Sequence, residues 1–104
     1  MARREYFHTI TPGTGTGTQF TTESLRGKAV TFKAHPSNST AGVVYVRSEG
    51  ATGTDGWPLT AGQTSPSNNY GKQATYLNTF TAYSDDSTSR VTIWAVVGDE
   101  RDDF

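Results

Sequence analysis

The chain has 104 residues, with nine Lys and Arg against ten Asp and Glu, a formal net charge of −1 and a sequence pI near 6.0. That length predicts one domain over residues 1–104. The charge balance removes the broad positive field that draws proteins onto phosphate backbones, so nucleic acid is not an expected partner. There is no cysteine, which excludes disulfides and thiolate metal sites. No apolar run approaches the length a helix needs to cross a bilayer, so no membrane is expected either.

At 33% apolar residues the core is thin for a chain of this size, while 12% aromatics argue against disorder. Oligomers or a host surface would supply the remaining stability. The opening Met1-Ala2-Arg3-Arg4-Glu5-Tyr6 lacks the apolar stretch of a secretory signal, which predicts cytosolic synthesis. Residues up to about 22 read as a flexible arm. Within it, Tyr6 to Thr11 and Thr18 to Thr21 are weak strand candidates. Between them, Gly13-Thr14-Gly15-Thr16-Gly17-Thr18 lacks the Lys-Ser/Thr ending of a phosphate-binding loop and reads as linker.

Thr22-Glu23-Ser24-Leu25-Arg26 is the one stretch that suits a helical turn, with Gly27 as its stop. Ala29 to Ala34 then alternates, with Val30, Phe32 and Ala34 on one face and Thr31 and Lys33 on the other. Val43 to Val46 is apolar throughout and suits a strand covered on both faces. The loop between these strands, Pro36 to Gly42, has the length and the proline, serine and glycine content that predict a hairpin. Its Asn38-Ser39-Thr40 matches a glycosylation acceptor, but without a secretory route the turn-forming role is expected.

After a glycine-rich stretch, Gly56 and Pro58 bracket Trp57 at a loop-to-strand junction, where it would cap one end of the fold or touch a partner. A short segment near Gln63 to Ser65 is a further weak strand. Leu77 to Tyr83 predicts a strand with Phe80 and Ala82 on one side and Thr79, Thr81 and Tyr83 on the other. Ser84 to Ser89 is turn chemistry, which would make a second hairpin with Arg90 to Val97. That last strand is the clearest: Val91, Ile93, Ala95 and Val97 face one way, and Thr92, Trp94 and Val96 the other. It is expected to be central, with Trp94 in the core. Residues 99–104 form an acidic tail around Arg101.

Many short strands with almost no helical period predict an all-β fold, a small antiparallel β-sandwich or a jelly-roll-like barrel. No catalytic residues are expected. Glu23, Glu49, Asp55 and Glu100 fall in loops or tails with no pattern that pairs them, and no nucleophile elbow frames any serine. No cofactor or metal is expected. His8 and His35 are the only histidines, and Asp55, Asp85 and Asp86 lack calcium-loop spacing. The aromatics Trp57, Tyr45, Tyr70, Tyr76 and Tyr83 carry apolar bodies with a polar tip, the property that enriches such residues at interfaces and on sugar-stacking platforms. Trp57, Tyr70 and Tyr83, with Arg3 and Arg4, are the expected partner contacts.

The order of these pieces resembles a known group. The strand "AVTFKA" running into Ala-His-Pro, the loop "SNSTAG", the strand "VVYVRS", the glycine-rich turn, Gly-Trp-Pro-Leu-Thr-Ala-Gly-Gln and the late strand "RVTIWAVVG" are similar to small β-sandwich virion proteins of tailed bacteriophages. The similarity spans roughly Gly27 to Gly98 and rests on strand and turn order with Asn38, Val44, Tyr45, Val46, Leu59, Ala61 and Gly62 as anchors. It implies a structural, non-enzymatic virion protein made in the host cytoplasm: a capsid decoration, cement or minor head protein. Its partners would be the major capsid or other virion proteins and further copies of itself, a trimer among the options. The competing expectation is a carbohydrate-binding module stacking sugars on Trp57, Tyr70 and Tyr83. A tail or head-completion component is the same class with a different neighbour.

Overall fold

Alternation in the last strand decides where the core lies: Val91, Ile93, Ala95 and Val97 are at most 1% exposed, while Thr92, Trp94 and Val96 between them are partly exposed. The structure, a computed structural model, describes residues 4–12, 17–40, 42–48, 56–69, 75–86 and 88–98. Its strands are β1 (Arg4–Ile10), β2 (Thr18–Gln19), β3 (Arg26–Ala34), β4 (Val44–Arg47), β5 (Trp57–Leu59), β6 (Asn68–Asn69), β7 (Thr75–Tyr76), β8 (Thr81–Ser84) and β9 (Val91–Gly98). A single 3₁₀ turn, Leu77–Thr79, is the one helical element among the described residues.

Every pairing is antiparallel, and the strands form two sheets. In the first, β9 lies between β1 and β3, and β3 carries β6 and β7 on its far side. The second runs β2-β8-β4-β5. Val30, Phe32 and Ala34 of β3 and the inner row of β9 face Val44 and Val46 of β4, Leu59 of β5 and Ala82 of β8, with Phe20, Leu77 and Phe80 filling the space between. The chain is thus a small antiparallel β-sandwich. Phe32 from the first sheet sits 5.1 Å from the Phe20 ring and 5.3 Å from the Phe80 ring, centroid to centroid, within the range favoured for tilted and edge-on pairs.

Neither expected hairpin forms. β3 belongs to the first sheet and β4 to the second, so the connection between them crosses from one sheet to the other; likewise β8 belongs to the second sheet and β9 to the first. The alternation of the strands is the same for a hairpin and for an arch, because both present one apolar face to one core. What separates them is the chemistry of the two arches, which lie together at one end. The His35 amide donates to the Arg90 carbonyl at 3.0 Å. The Asn38 side chain then completes the link: its Nδ2 donates to the Arg90 carbonyl at 2.9 Å and its Oδ1 accepts from the Arg90 amide at 2.8 Å. A buried side-chain amide here does the work of a backbone strand partner. Both Asn38 amide atoms are thus engaged on the other arch, and not in a hairpin turn of their own. In the second arch the Asp86 carboxylate accepts from the Thr88 amide at 2.9 Å and hydroxyl at 2.8 Å, and these bonds hold it below the usual aspartate range.

Other elements shift from expectation. Residues 22–26 make no helical turn. The Glu23 amide bonds Thr21 Oγ1, the Leu25 carbonyl accepts from the Leu77 amide, and β3 is already running at Arg26. Gly27 does not stop a helix; it lets Leu77 pack against the strand, since a Cβ there would lie 2.7 Å from Leu77 Cδ2. The strand expected from Leu77 begins only at Thr81, because Leu77 is turned into the core by the 3₁₀ turn closed from the Phe80 amide to its carbonyl. β4 is covered fully on its inner face, while Tyr45 on the outer face is half-buried.

The weak candidates gain structure. Arg4–Ile10 lies inside the stretch expected as an arm, yet it pairs with β9 along its whole length, with Tyr6 and Ile10 packed against the core. Thr18–Gln19 pairs with β8. The Gln63 to Ser65 segment lies along β3: the Ala34 amide donates to the Gln63 carbonyl and the Ser65 amide to the Phe32 carbonyl. Ser65 Oγ also accepts from the Phe32 amide at 3.0 Å. Residues 13–16 of the glycine-threonine run and the acidic tail at 99–104 lie outside the described residues.

Candidate functional site

The residues expected to contact a partner do not converge. Tyr70 and Arg3 lie outside the described residues, and Arg4 is placed by its backbone opposite Val97 in β1. Trp57 opens β5 opposite Val46, so its side is the core side of an edge strand. It is nevertheless 54% exposed, because it stands at the lip of the sandwich beside an opening of about 300 Å³ lined with Phe32, Val46, Pro66 and Phe80. Tyr83 is on the outer face of the second sheet, across from Tyr45 at 6.2 Å between ring centroids. Arg47, also buried, lays its guanidinium 5.5 Å from the Tyr83 centroid. The loop at Gly17, with φ of 106°, closes over that guanidinium where a side chain would collide with it. Tyr83 is thereby held in a structural cluster.

A different surface collects aromatics. On the outer face of the first sheet, Phe7 of β1 stands opposite Trp94 of β9, which in turn stands opposite Thr31 of β3. Phe7 is 63% exposed. Phe7 and Trp94, with Thr31, Lys33, Thr64 and Ser67, line a shallow groove of about 430 Å³. Its geometry is fixed by cross-strand hydrogen bonds: Trp94 Nε1 donates to Glu5 Oε1 at 2.9 Å, Thr9 and Thr92 hydroxyls meet at 2.7 Å, and Thr31 and Ser67 hydroxyls at 2.7 Å. The indole is thus tethered at one edge and remains partly exposed along the groove.

Trp94 was expected in the core, and the structure corrects that: the inward row of β9 is its odd-numbered residues, and Trp94 belongs to the other row. The expected consequence changes with it. Trp94→Ala should cost about 1–2 kcal/mol in urea unfolding, the effect of losing a half-covered ring and one hydrogen bond, well short of a core truncation. Phe7 was not singled out in the sequence. The signal was present, since alternation along Glu5, Phe7 and Thr9 places one aromatic on an otherwise polar face.

The histidines serve locally. His35 Nδ1 accepts from the Ser37 amide at 3.0 Å and lies 2.7 Å from Ser37 Oγ, which accepts from Arg90 Nη2 at 2.8 Å. These bonds close the first arch at its base. His8 is exposed on β1, its ring 6.3 Å from Tyr6. Among the described residues, no three His, Asp or Glu side chains gather as a metal site would require. No helix among them is long and apolar enough to cross a membrane. No family model, curated protein or solved structure matches this chain.

Proposed function

We propose that the chain is a structural virion protein, a capsid decoration or cement protein held on a tailed-bacteriophage head through repeated weak contacts with the major capsid protein and with further copies of itself. The reading begins from the order of strand and turn segments in the sequence, which resembles that of such proteins. The observation that carries it is that both sheets expose a large apolar side chain on an edge strand: Phe7 at 63% on β1 and Trp57 at 54% on β5. A small domain with little apolar material that spends two aromatics on solvent is shaped for adhesion. Contacts of this size are individually weak, and many copies on one shell convert them into firm retention.

Two measurements test this. Mass spectrometry of purified particles, grown from the genome that carries this reading frame, should detect the chain in stoichiometric amount; its complete absence from particles overturns the proposal. Trp57→Ala should leave the thermal melt within a few degrees of the parent and weaken retention on heads roughly tenfold, as expected for one anchoring aromatic. A collapse of folding would assign Trp57 to the core.

The second reading is a carbohydrate-binding module, favoured by the groove that sets the Trp94 face among the Thr31, Ser67 and Lys33 side chains at a volume suited to a small ligand. Glycan-dependent quenching of tryptophan fluorescence that disappears in Trp94→Ala would favour it over the virion role.

A further inference from the structure

We infer that β1 is a self-pairing edge, through which two copies of the chain join their first sheets about a two-fold axis at Phe7. β1 pairs with β9 on one side, and among the described residues no strand lies on its other side. Its seven residues hold an unbroken register with β9, with neither proline nor bulge, and no lysine interrupts them. Proteins that must keep an edge unpaired usually shorten it, bend it or place lysine and proline on it. This edge is long and unbent and has neither lysine nor proline; its charged residues, Arg4 and Glu5, stand together at its first two positions. It is also among the longest strands of the fold and carries its most exposed apolar residue at its centre.

The sequence of the strand is self-complementary in the one register that pairs all seven of its residues. An antiparallel pair keeps outward residues opposite outward residues only when the two position numbers sum to an even value. With Phe7 opposite Phe7 of the second copy, Glu5 meets Thr9, Tyr6 meets His8 and Arg4 meets Ile10, so all seven residues pair and no charge meets its like. Registers that centre on residues 4 or 5 set Arg4 against Arg4 or Glu5 against Glu5. The Phe7 register also extends the aromatic row. Trp94, Phe7, the second Phe7 and the second Trp94 would stand on four successive strands about 4.8 Å apart, each covering its neighbour's exposed face. An edge of this length, roughly 24 Å, buries less than a standard interface, so the dimer should be concentration-dependent.

The inference does not depend on the virion role, because particle content and self-association are separate measurements. Sedimentation equilibrium of the full chain should show a monomer–dimer equilibrium. Phe7→Lys should raise the dissociation constant at least about tenfold with an unchanged circular-dichroism melt, and Thr9→Lys, on the same edge, should do likewise. Because the chain has no native cysteine, Phe7→Cys should form an interchain disulfide under mild oxidation, whereas Thr64→Cys, across the sheet, should not. A monomer at every concentration, a trimer, or a dimer indifferent to both lysine variants would overturn the inference.

Discussion

Phe32→Ala is expected to lower the unfolding free energy by about 3–5 kcal/mol, read as a fall in the urea midpoint with an unchanged slope. Phe32 is the one ring of the first sheet in contact with both Phe20 and Phe80, which approach from the segments flanking β2 and β8 of the second. Truncation would remove the side chain that bridges the two layers and leave a cavity that strands tied into long ladders cannot collapse to fill. Total stabilities of domains this size are about 5–15 kcal/mol, so the loss is a large share of the total and should be plain in the denaturation curve. Thr31→Ala, one residue away on the outer face, serves as the control and should stay within about 1 kcal/mol. Equal effects at both positions would mean that the layers do not meet as described.

Asn38→Ala should cost about 2 kcal/mol, and Asn38→Asp a similar amount at neutral pH. Alanine leaves both backbone groups of Arg90 without the partners that the side chain supplied. Aspartate keeps an acceptor for the amide but sets a carboxylate oxygen against the Arg90 carbonyl. In a hairpin this residue would sit at a solvent-facing loop tip, and either change would fall within about 0.5 kcal/mol. Chemical denaturation of the two variants therefore separates an arch from a hairpin without further structural work.

The all-β class and the inward rows were legible. Val30, Phe32 and Ala34, and the odd-numbered residues of Val91 to Val97, are as buried as their period-two pattern predicts. Alternation is a local property and survives any arrangement that offers the strand one apolar partner surface. The hairpins were not legible, because loops of ordinary turn composition connect strands within a sheet or across a sandwich equally well. The deciding contact joins Asn38 to Arg90, fifty-two positions apart. β1 was underweighted for a similar reason: a half-covered edge strand needs only Tyr6 and Ile10 inside, too few to make a strong pattern, and the long ladder with β9 supplies the rest.

The candidate site divides the same way. Trp57, bracketed by Gly56 and Pro58, was readable as a residue at one end of the fold, either a cap or a partner contact, and it stands 54% exposed at the lip of the sandwich. Trp94 was misplaced because an aromatic in a β-branched strand looks like core until the strand's two faces are told apart by what covers each. Composition and periodicity alone determined that this chain is extended, layered, cysteine-free and thin in apolar material. Tertiary structure decided which strands are neighbours and which aromatics are left in water. Backbone pairing and the covering of a face are settled between residues far apart in the chain, where no local pattern reaches.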